Sequence, residues 1–385
     1  MILLLGMYGC SRSPGPLTTI LPQTSPPGQR VGDVELSRRL AISPLVLPEE
    51  LMPATNHWIP LDAWAETNGF GRPQLLPGPE LTYRIQRGEE RVRVTIGSRV
   101  ASWNGIEHWL GYAPQLMDNR PAINALDIRG NLDPLARPLE AFDRDLVIVL
   151  DPGHGGSDTG TRNILNNRFE KEYALDWAIR LARLLREDGH TVHLTRTNDI
   201  EVSLTNRVAF ADAREADLFL SLHFNSAFPS QTQSGLETYC LTPPGMASHL
   251  TRGYEDDPGR VFPNNAFDEM NVRYAAVIHR RLIEVTQAAD RGVRRARFMA
   301  VLRGQNRPAV LIEGGFLSNP AESRLIQTEA YREKLARAVA ASVQSFARGP
   351  ASEPEDRAQS GPVETPASTA GAAPLTRTGT SPFEF

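Results

Sequence analysis

Leu146-Val147-Ile148-Val149-Leu150 is an unbroken apolar run that stops at Asp151-Pro152-Gly153-His154-Gly155-Gly156. Such a run, closed by chain breakers, reads as a strand buried on both faces, which requires covering layers above and below it. Two more segments share the form: Ser221-Leu222-His223-Phe224-Asn225-Ser226 continues a run from Leu218, and Glu313-Gly314-Gly315-Phe316 continues one from Ala309. Each sets a histidine or a glutamate at the end of a strand. A fourth segment, Phe169-Glu170-Lys171, opens an amphipathic helix. Two imidazoles and one carboxylate suit a catalytic zinc ion that keeps a coordination position for water, and a second carboxylate nearby would complete a hydrolase.

The stretch from about 144 to 348 alternates strands with helices. Apolar residues at Tyr173, Leu175, Ala178, Ile179, Leu181, Ala182 and Leu185 give a helical period from Glu170 to Glu187, and Gly189 closes it. Further strands are expected at Thr191 to Thr195, Leu218 to Leu222, Leu236 to Leu241, Phe298 to Leu302 and Ala309 to Ile312. Helices are expected at Leu204 to Arg214, Asn271 to Ala288 and Tyr331 to Phe346. This alternation predicts an α/β domain with a mixed, mostly parallel twisted sheet and helices on both faces. Ligands of open α/β sheets gather at the carboxyl ends of strands, so His154, His223, Glu313 and the helix start at Glu170 can meet on one edge.

A chain of 385 residues exceeds the ~250 to 300 at which single cores stop growing, so a second unit is expected. Residues 46 to 140 read as a small, strand-rich α+β domain. Arg91-Val92-Arg93-Val94-Thr95-Ile96-Gly97 alternates strictly, Leu81-Thr82-Tyr83-Arg84-Ile85 does so before it, and Arg87-Gly88-Glu89 lies between, which predicts a hairpin. Asp62 to Phe70 reads as one short helix with a glycine stop. With Gly97-Ser98-Arg99 and Trp103-Asn104-Gly105, this part resembles the stalk domain named after the amino-terminal part of copper amine oxidases. Trp58, Trp64, Trp103 and Trp109 are read as core rather than as sugar-stacking platforms.

The termini have another character. Met1 to Met7 is apolar and leads through Tyr8-Gly9 to Cys10, which looks like a shortened lipoprotein signal with its acceptor cysteine, a lipid anchor. Residues 11–45 read as a tether and 349–385, rich in Pro, Ser, Thr and Ala, as a disordered tail. Cys240 is the only other cysteine, so no disulfide framework is expected. With 41 Lys+Arg against 45 Asp+Glu, nothing points to nucleic acid.

Asp151-Pro152-Gly153-His154-Gly155-Gly156, Glu170-Lys171, Ser221-Leu222-His223-Phe224-Asn225 and Glu313-Gly314-Gly315-Phe316-Leu317-Ser318-Asn319, with Asp290-Arg291-Gly292-Val293, resemble in order the motifs of the zinc-dependent N-acetylmuramoyl-L-alanine amidases of the type 3 amidase family. The resemblance implies zinc held by His154, Glu170 and His223, with Glu313 as general base and then acid. It implies as substrate the amide between N-acetylmuramic acid and L-alanine in peptidoglycan, an envelope location, and sometimes an activator protein. A zinc peptidase acting within the stem peptide and a catalytically idle wall-binding protein are the alternatives. Asn225 is a candidate to orient a ligand or touch substrate. Residues 242–268 are expected to form a long irregular loop near the site. Arg291, Arg294, Arg295, Arg297 and Arg303 are read as a solvated charged surface in preference to a docking place for stem-peptide carboxylates. His57, His108, His190, His193 and His279 are assigned to no metal.

Overall fold

Alternation of side chains builds the amino-terminal half. The computed structural model describes residues 45–46, 57–251 and 256–348. The leader with Cys10, the tether up to residue 44 and the tail from Gly349 therefore lie outside the described residues. Leu45–Val46 (β1) is followed by Trp58–Pro60 (β2) and a short helix, Leu61–Thr67 (α1), with Leu61, Trp64 and Ala65 buried. Gln74–Leu75 (β3), Thr82–Arg87 (β4), Glu90–Thr95 (β5), Val100–Trp103 (β6) and Ile106–Trp109 (β7) form an antiparallel meander. The expected hairpin is β4 with β5, turned by Gly88 at φ 56°. Val92 and Val94 are buried while Arg91 and Arg93 between them are exposed, the two-residue period of a half-covered sheet. Trp64 stacks on Phe70 with ring centroids 5.5 Å apart, and Trp103 meets the same ring edge-on, so both are core. Gln115–Met117 (β8) and Arg120–Asn124 (β9) make a small separate sheet with β2.

The second half begins with the long apolar run. Val147–Pro152 (β10) is followed by Glu170–Glu187 (α2), Thr191–Leu194 (β11), Leu204–Asp212 (α3), Leu218–Asn225 (β12) and Leu236–Cys240 (β13). Arg260–Val261 (β14) pairs with β1. Then come Asp268–Thr286 (α4), Asp290–Arg295 (β15), Ala300–Arg303 (α5), Ala309–Phe316 (β16), Pro320–Ile326 (α6) and Glu329–Arg348 (α7). β10 shows why the run had to be unbroken. Ile148 and Leu150 join a core with Tyr173, Trp177 and Leu181 of α2 and Leu335, Val339 and Phe346 of α7, whereas Val149 joins another with Ala211 of α3 and Val301 and Leu302 of α5. Each such side chain withdrawn from water contributes about 1.5–3 kcal/mol.

The strands form one sheet of eleven, in the order β11-β10-β12-β16-β13-β15-β7-β6-β5-β4-β3. β11, β10, β12 and β16 are parallel, β13 runs against β16, and β15 is parallel to β13. The sheet then passes into the amino-terminal meander where Val293 of β15 meets His108 of β7. Glu107 N donates to Asp290 Oδ2 at 2.9 Å and Trp109 Nε1 to Arg291 O at 3.1 Å across the same seam. Trp109 is therefore spent on the join.

Two expectations are corrected here. Phe298 to Leu302 is a turn leading into α5, and a strand forms instead at Asp290–Arg295, whose charged sequence hid it. Arg294, Arg295 and Arg297 are buried, with exposures of 6%, 2% and 0%, so they are no solvated surface. Their charge is matched inside: Arg295 donates to Leu241 O at 3.0 Å and Arg297 to Met246 O at 2.6 Å, and Arg297 pairs with Asp256. The described parts of 242–268 are largely irregular, as expected, and Gly245 to Ser248 pack into the seam. Met246 is buried beside Gly111 and Gly130, and Tyr112 donates its hydroxyl to Gly245 O at 2.9 Å.

Candidate metal centre

Three chain segments deliver the candidate donors, each fixed by a different device. In the parallel pair β10 and β12, Asp151 stands opposite Ser221 and Pro152 opposite Leu222, so the loops leaving both strands start side by side. His154 follows with a left-handed backbone, φ 61°, a conformation uncommon outside glycine though less so for histidine. Gly153 has no room for a side chain, because a Cβ there would run into the His223 ring.

Two buried guanidiniums grip this loop. Arg207 on α3 donates to Pro152 O at 2.9 Å and to His154 O at 2.8 Å. Arg196 donates to Gly153 O at 2.7 Å and to Lys171 O at 2.8 Å, which ties the loop to the first turn of α2. Asp151 stands behind Arg207. Its Oδ1 accepts from Thr195 Oγ1 at 2.6 Å and from Arg207 Nη1 at 2.5 Å, and its Oδ2 accepts from Ser221 Oγ at 2.8 Å. A buried pair satisfied on both sides is costly to break.

Glu170, the first residue of α2, is 4% exposed. A carboxylate suits a helix amino terminus, yet its oxygens turn to the histidines. Oε1 lies 3.1 Å from His154 Nε2 and 2.9 Å from His223 Nδ1, and it also accepts from Phe224 N at 3.1 Å. Oε2 accepts from Thr161 N at 3.0 Å. The other ring nitrogen of His154, Nδ1, lies 2.8 Å from Asp158 Oδ1, so the imidazole is held at both ends. The approach needs Gly160, at φ 62°, where a Cβ would stand 2.6 Å from both Glu170 Oε2 and His154 Cδ2.

The charges of this cluster call for a cation. Burial alone would lower the His154 imidazole, but Glu170 and Asp158 hold it up at about 9. Burial would likewise raise the Glu170 carboxyl, but His154 and His223 hold it well below the usual range. A buried carboxylate facing two imidazoles is stable only with positive charge between them, whether from protons or from a metal ion. One donor atom from each of His154, Glu170 and His223 lies within 4.8 Å of the others, the one such group among the described residues. The donor set fits zinc, and the Asp158 contact is the outer-shell support that metal-binding histidines keep.

Glu313 reaches the same edge from β16. It stands opposite His223 on one side and opposite Glu237 of β13 on the other, and residues so paired share a face of the sheet. Its Oε2 is buried and, among the described residues, has no hydrogen-bond partner. Burial first, then the charges of Glu170 and Glu237, push its carboxyl well above the ordinary range. A buried oxygen left without a partner is costly, so the place beside Glu313 suits a water or a substrate group.

All four residues named from the sequence therefore meet at one strand edge. Asn225 lies on the same edge, and its Nδ2 donates to Glu237 Oε2 at 2.8 Å. His279 lies in the core between Thr238 and Asp290, and burial lowers His108 to about 3; neither approaches the cluster. The sequence reading missed Asp158, Arg196, Arg207 and Glu237. Asp158, an acid four residues after His154 in a glycine-rich loop, carried a local signal; the two arginines carried none.

Residues 148–345 match the model of a protein family described as N-acetylmuramoyl-L-alanine amidase. N-acetylmuramoyl-L-alanine amidase AmiC of Escherichia coli is 31% identical over 225 residues, 53% of this chain and 53% of the relative, so the chain spans about half the length of that protein. N-acetylmuramoyl-L-alanine amidase AmiA of Escherichia coli is 31% identical over 221 residues, 52% of this chain and 75% of the relative. A solved N-acetylmuramoyl-L-alanine amidase from Clostridium difficile shares 31% identity with a TM-score of 0.44, covering 53% of this chain and 97% of that one.

Proposed function

The chain belongs to the type 3 N-acetylmuramoyl-L-alanine amidase family, and from that premise we propose that it is a zinc-dependent hydrolase of the amide between N-acetylmuramic acid and L-alanine in peptidoglycan. The observation that carries the reading is the convergence of His154, Glu170 and His223 on one point beside the unpartnered Glu313 oxygen. These three side chains would hold the zinc. When bound, it supplies Lewis acidity that polarises the scissile carbonyl and acidifies a water.

The remaining work falls to the protein. Glu313 accepts the proton of the attacking water through the oxygen that lacks a partner, and returns it to the departing alanine amine. Asp158, held against His154 Nδ1, fixes the ring and would leave its other nitrogen to face the zinc. Arg196 and Arg207 hold the His154 backbone while β12 fixes His223. The enzyme acts with its substrate in the cell envelope. No helix among the described residues is long and apolar enough to cross a membrane. Anchoring through Cys10 and control by an activator protein remain part of the proposal.

Digestion of purified peptidoglycan with zinc-loaded and with chelated protein tests it. Intact stem peptides with a free L-alanine amine, released only by the loaded protein, are the expected products. Shorter peptides or free amino acids would instead establish a zinc peptidase, and no products at all would leave a wall-binding protein.

A further inference from the structure

The row of side chains that begins at the metal centre does not end at Glu313. His223, Glu313 and Glu237 stand in register on β12, β16 and β13, and the next strand, β15, brings Arg291 to Glu237. Arg291 Nε donates to Glu237 Oε1 at 2.6 Å. Asn225, two residues after His223, bonds the other oxygen of the same carboxylate, so the ion pair is tied to the strand that carries a metal donor. Tyr239 adds its hydroxyl at 2.7 Å. Glu237, 2% exposed, is thus a fixed post that aims the arginine.

Arg291 differs from the other cations close to the centre. Arg196 and Arg207 are committed to backbone carbonyls. Lys171 is committed to Gly156 O and Asp199. Arg294 also reaches Glu237 at 3.1 Å, but its side chain is 7% exposed and lies over the Trp109 ring. The Arg291 side chain is 26% exposed. A guanidinium has five N–H donors; here Nε serves Glu237 and Nη1 serves Gln233 Oε1 at 2.9 Å, while Nη2 donates to none of the described residues. The Phe316 ring, with its centroid 5.0 Å from the guanidinium carbon, supports it from one side. Glu322, another acid close enough to feel Arg291, is occupied by Gly235 N at 2.7 Å and Phe316 N at 2.6 Å.

We infer that Arg291 is the specificity-determining residue of this site, and that it binds a carboxylate of the peptide on the leaving side of the cleaved amide. Two strand spacings of ~4.8 Å separate Glu313 from Arg291. An extended peptide covers that distance in about three residues. The carboxylate recognised is therefore carried by the second or third residue of the stem, counting the alanine as the first. A planar fork already aligned by an acid partner is the geometry that receives a carboxylate with two parallel bonds.

The inference rests on the amidase reading and deepens it. The test uses pairs of soluble muramoyl peptides, identical except that the acidic groups of the second and third residues are free in one and carboxamides in the other. The zinc-loaded full chain is expected to cleave the free acid with kcat/KM about tenfold higher, mostly through KM. R291Q is expected to bring that ratio close to one, and R291K to restore part of it. A ratio near one in the unsubstituted protein, or an unchanged ratio in R291Q, overturns the inference while leaving the amidase reading intact. Failure of the unsubstituted, zinc-loaded protein to cut either peptide overturns the amidase reading and this inference with it.

Discussion

The two sides of the site are built on opposite terms. On the side of His154, Glu170 and His223 nearly every polar atom is spoken for: ring nitrogens against carboxylates, carboxylate oxygens against backbone amides, loop carbonyls against two buried arginines. On the side of Glu313 a buried oxygen has no partner among the described residues, and its carboxyl is pushed toward the neutral form by burial and by Glu170 and Glu237. The contrast separates two tasks. On the proposed function, the donors that would grip an ion are over-determined, and the group that would take and return a proton is left with an oxygen that none of the described residues satisfies.

Changing the loose side should damage chemistry and spare binding. Glu313→Gln keeps size and removes the base, so turnover on peptidoglycan should fall by ~10² to 10⁴ while zinc content by elemental analysis stays at the unsubstituted level. Joint loss of zinc and turnover would place Glu313 among the ligands and erase the distinction. Changing the tied side should do the reverse. Arg207→Lys keeps the positive charge beside Asp151 but cannot reach Pro152 O and His154 O together. Zinc affinity, measured by competition with a chelator, should weaken by about 10- to 100-fold, as for other outer-shell changes. Excess zinc should recover turnover. An unaltered affinity would show that the His154 loop holds its shape without the grip.

The same division governs what the sequence disclosed. His154, His223 and Glu313 were legible because each interrupts an apolar run at a strand end, and Glu170 because a helical period starts at it; these signals lie within a few residues of the side chain. β15 was not legible, because Asp290–Arg295 looks like surface until its partners are known. Those partners lie far off in the chain: Glu237 for Arg294, Leu241 O and Gly130 O for Arg295. A buried arginine carries no local mark of its burial, since the groups that compensate it come from other elements. The run of the sheet across β15 into β7 was hidden for a related reason. Strand pairing between segments more than 180 residues apart leaves no periodicity to read, and its clearest anchor, Glu107 N on Asp290, is a single backbone amide.

A smaller disturbance can be aimed at the space between the donors. Gly160→Ala adds a methyl group 2.6 Å from Glu170 Oε2 and His154 Cδ2, at a backbone angle of φ 62°. The left-handed conformation alone costs roughly 1–2 kcal/mol for a residue with a Cβ, and the methyl group must also displace a donor. The melting temperature should fall both with and without zinc, and zinc should raise it less than in the unsubstituted protein. An equal rise would mean that the loop yields and the donors stay.

The finest test removes one of the three supports behind the grip. Ser221→Ala deletes the hydroxyl that donates to Asp151 Oδ2 at 2.8 Å, while Thr195 and Arg207 continue to satisfy Oδ1. Losing one neutral donor to a buried carboxylate should cost about 1–3 kcal/mol, near the lower end here because the charge keeps its guanidinium. For a domain of this size 1 kcal/mol corresponds to about 2–4 °C in melting temperature. Zinc affinity should change by less than for Arg207→Lys, since Ser221 touches neither the loop nor a donor. If affinity instead drops as far as it does in Arg207→Lys, then Asp151 rather than the arginine fork sets the position of His154, and the tied side is controlled one layer deeper than the hydrogen bonds to the loop imply.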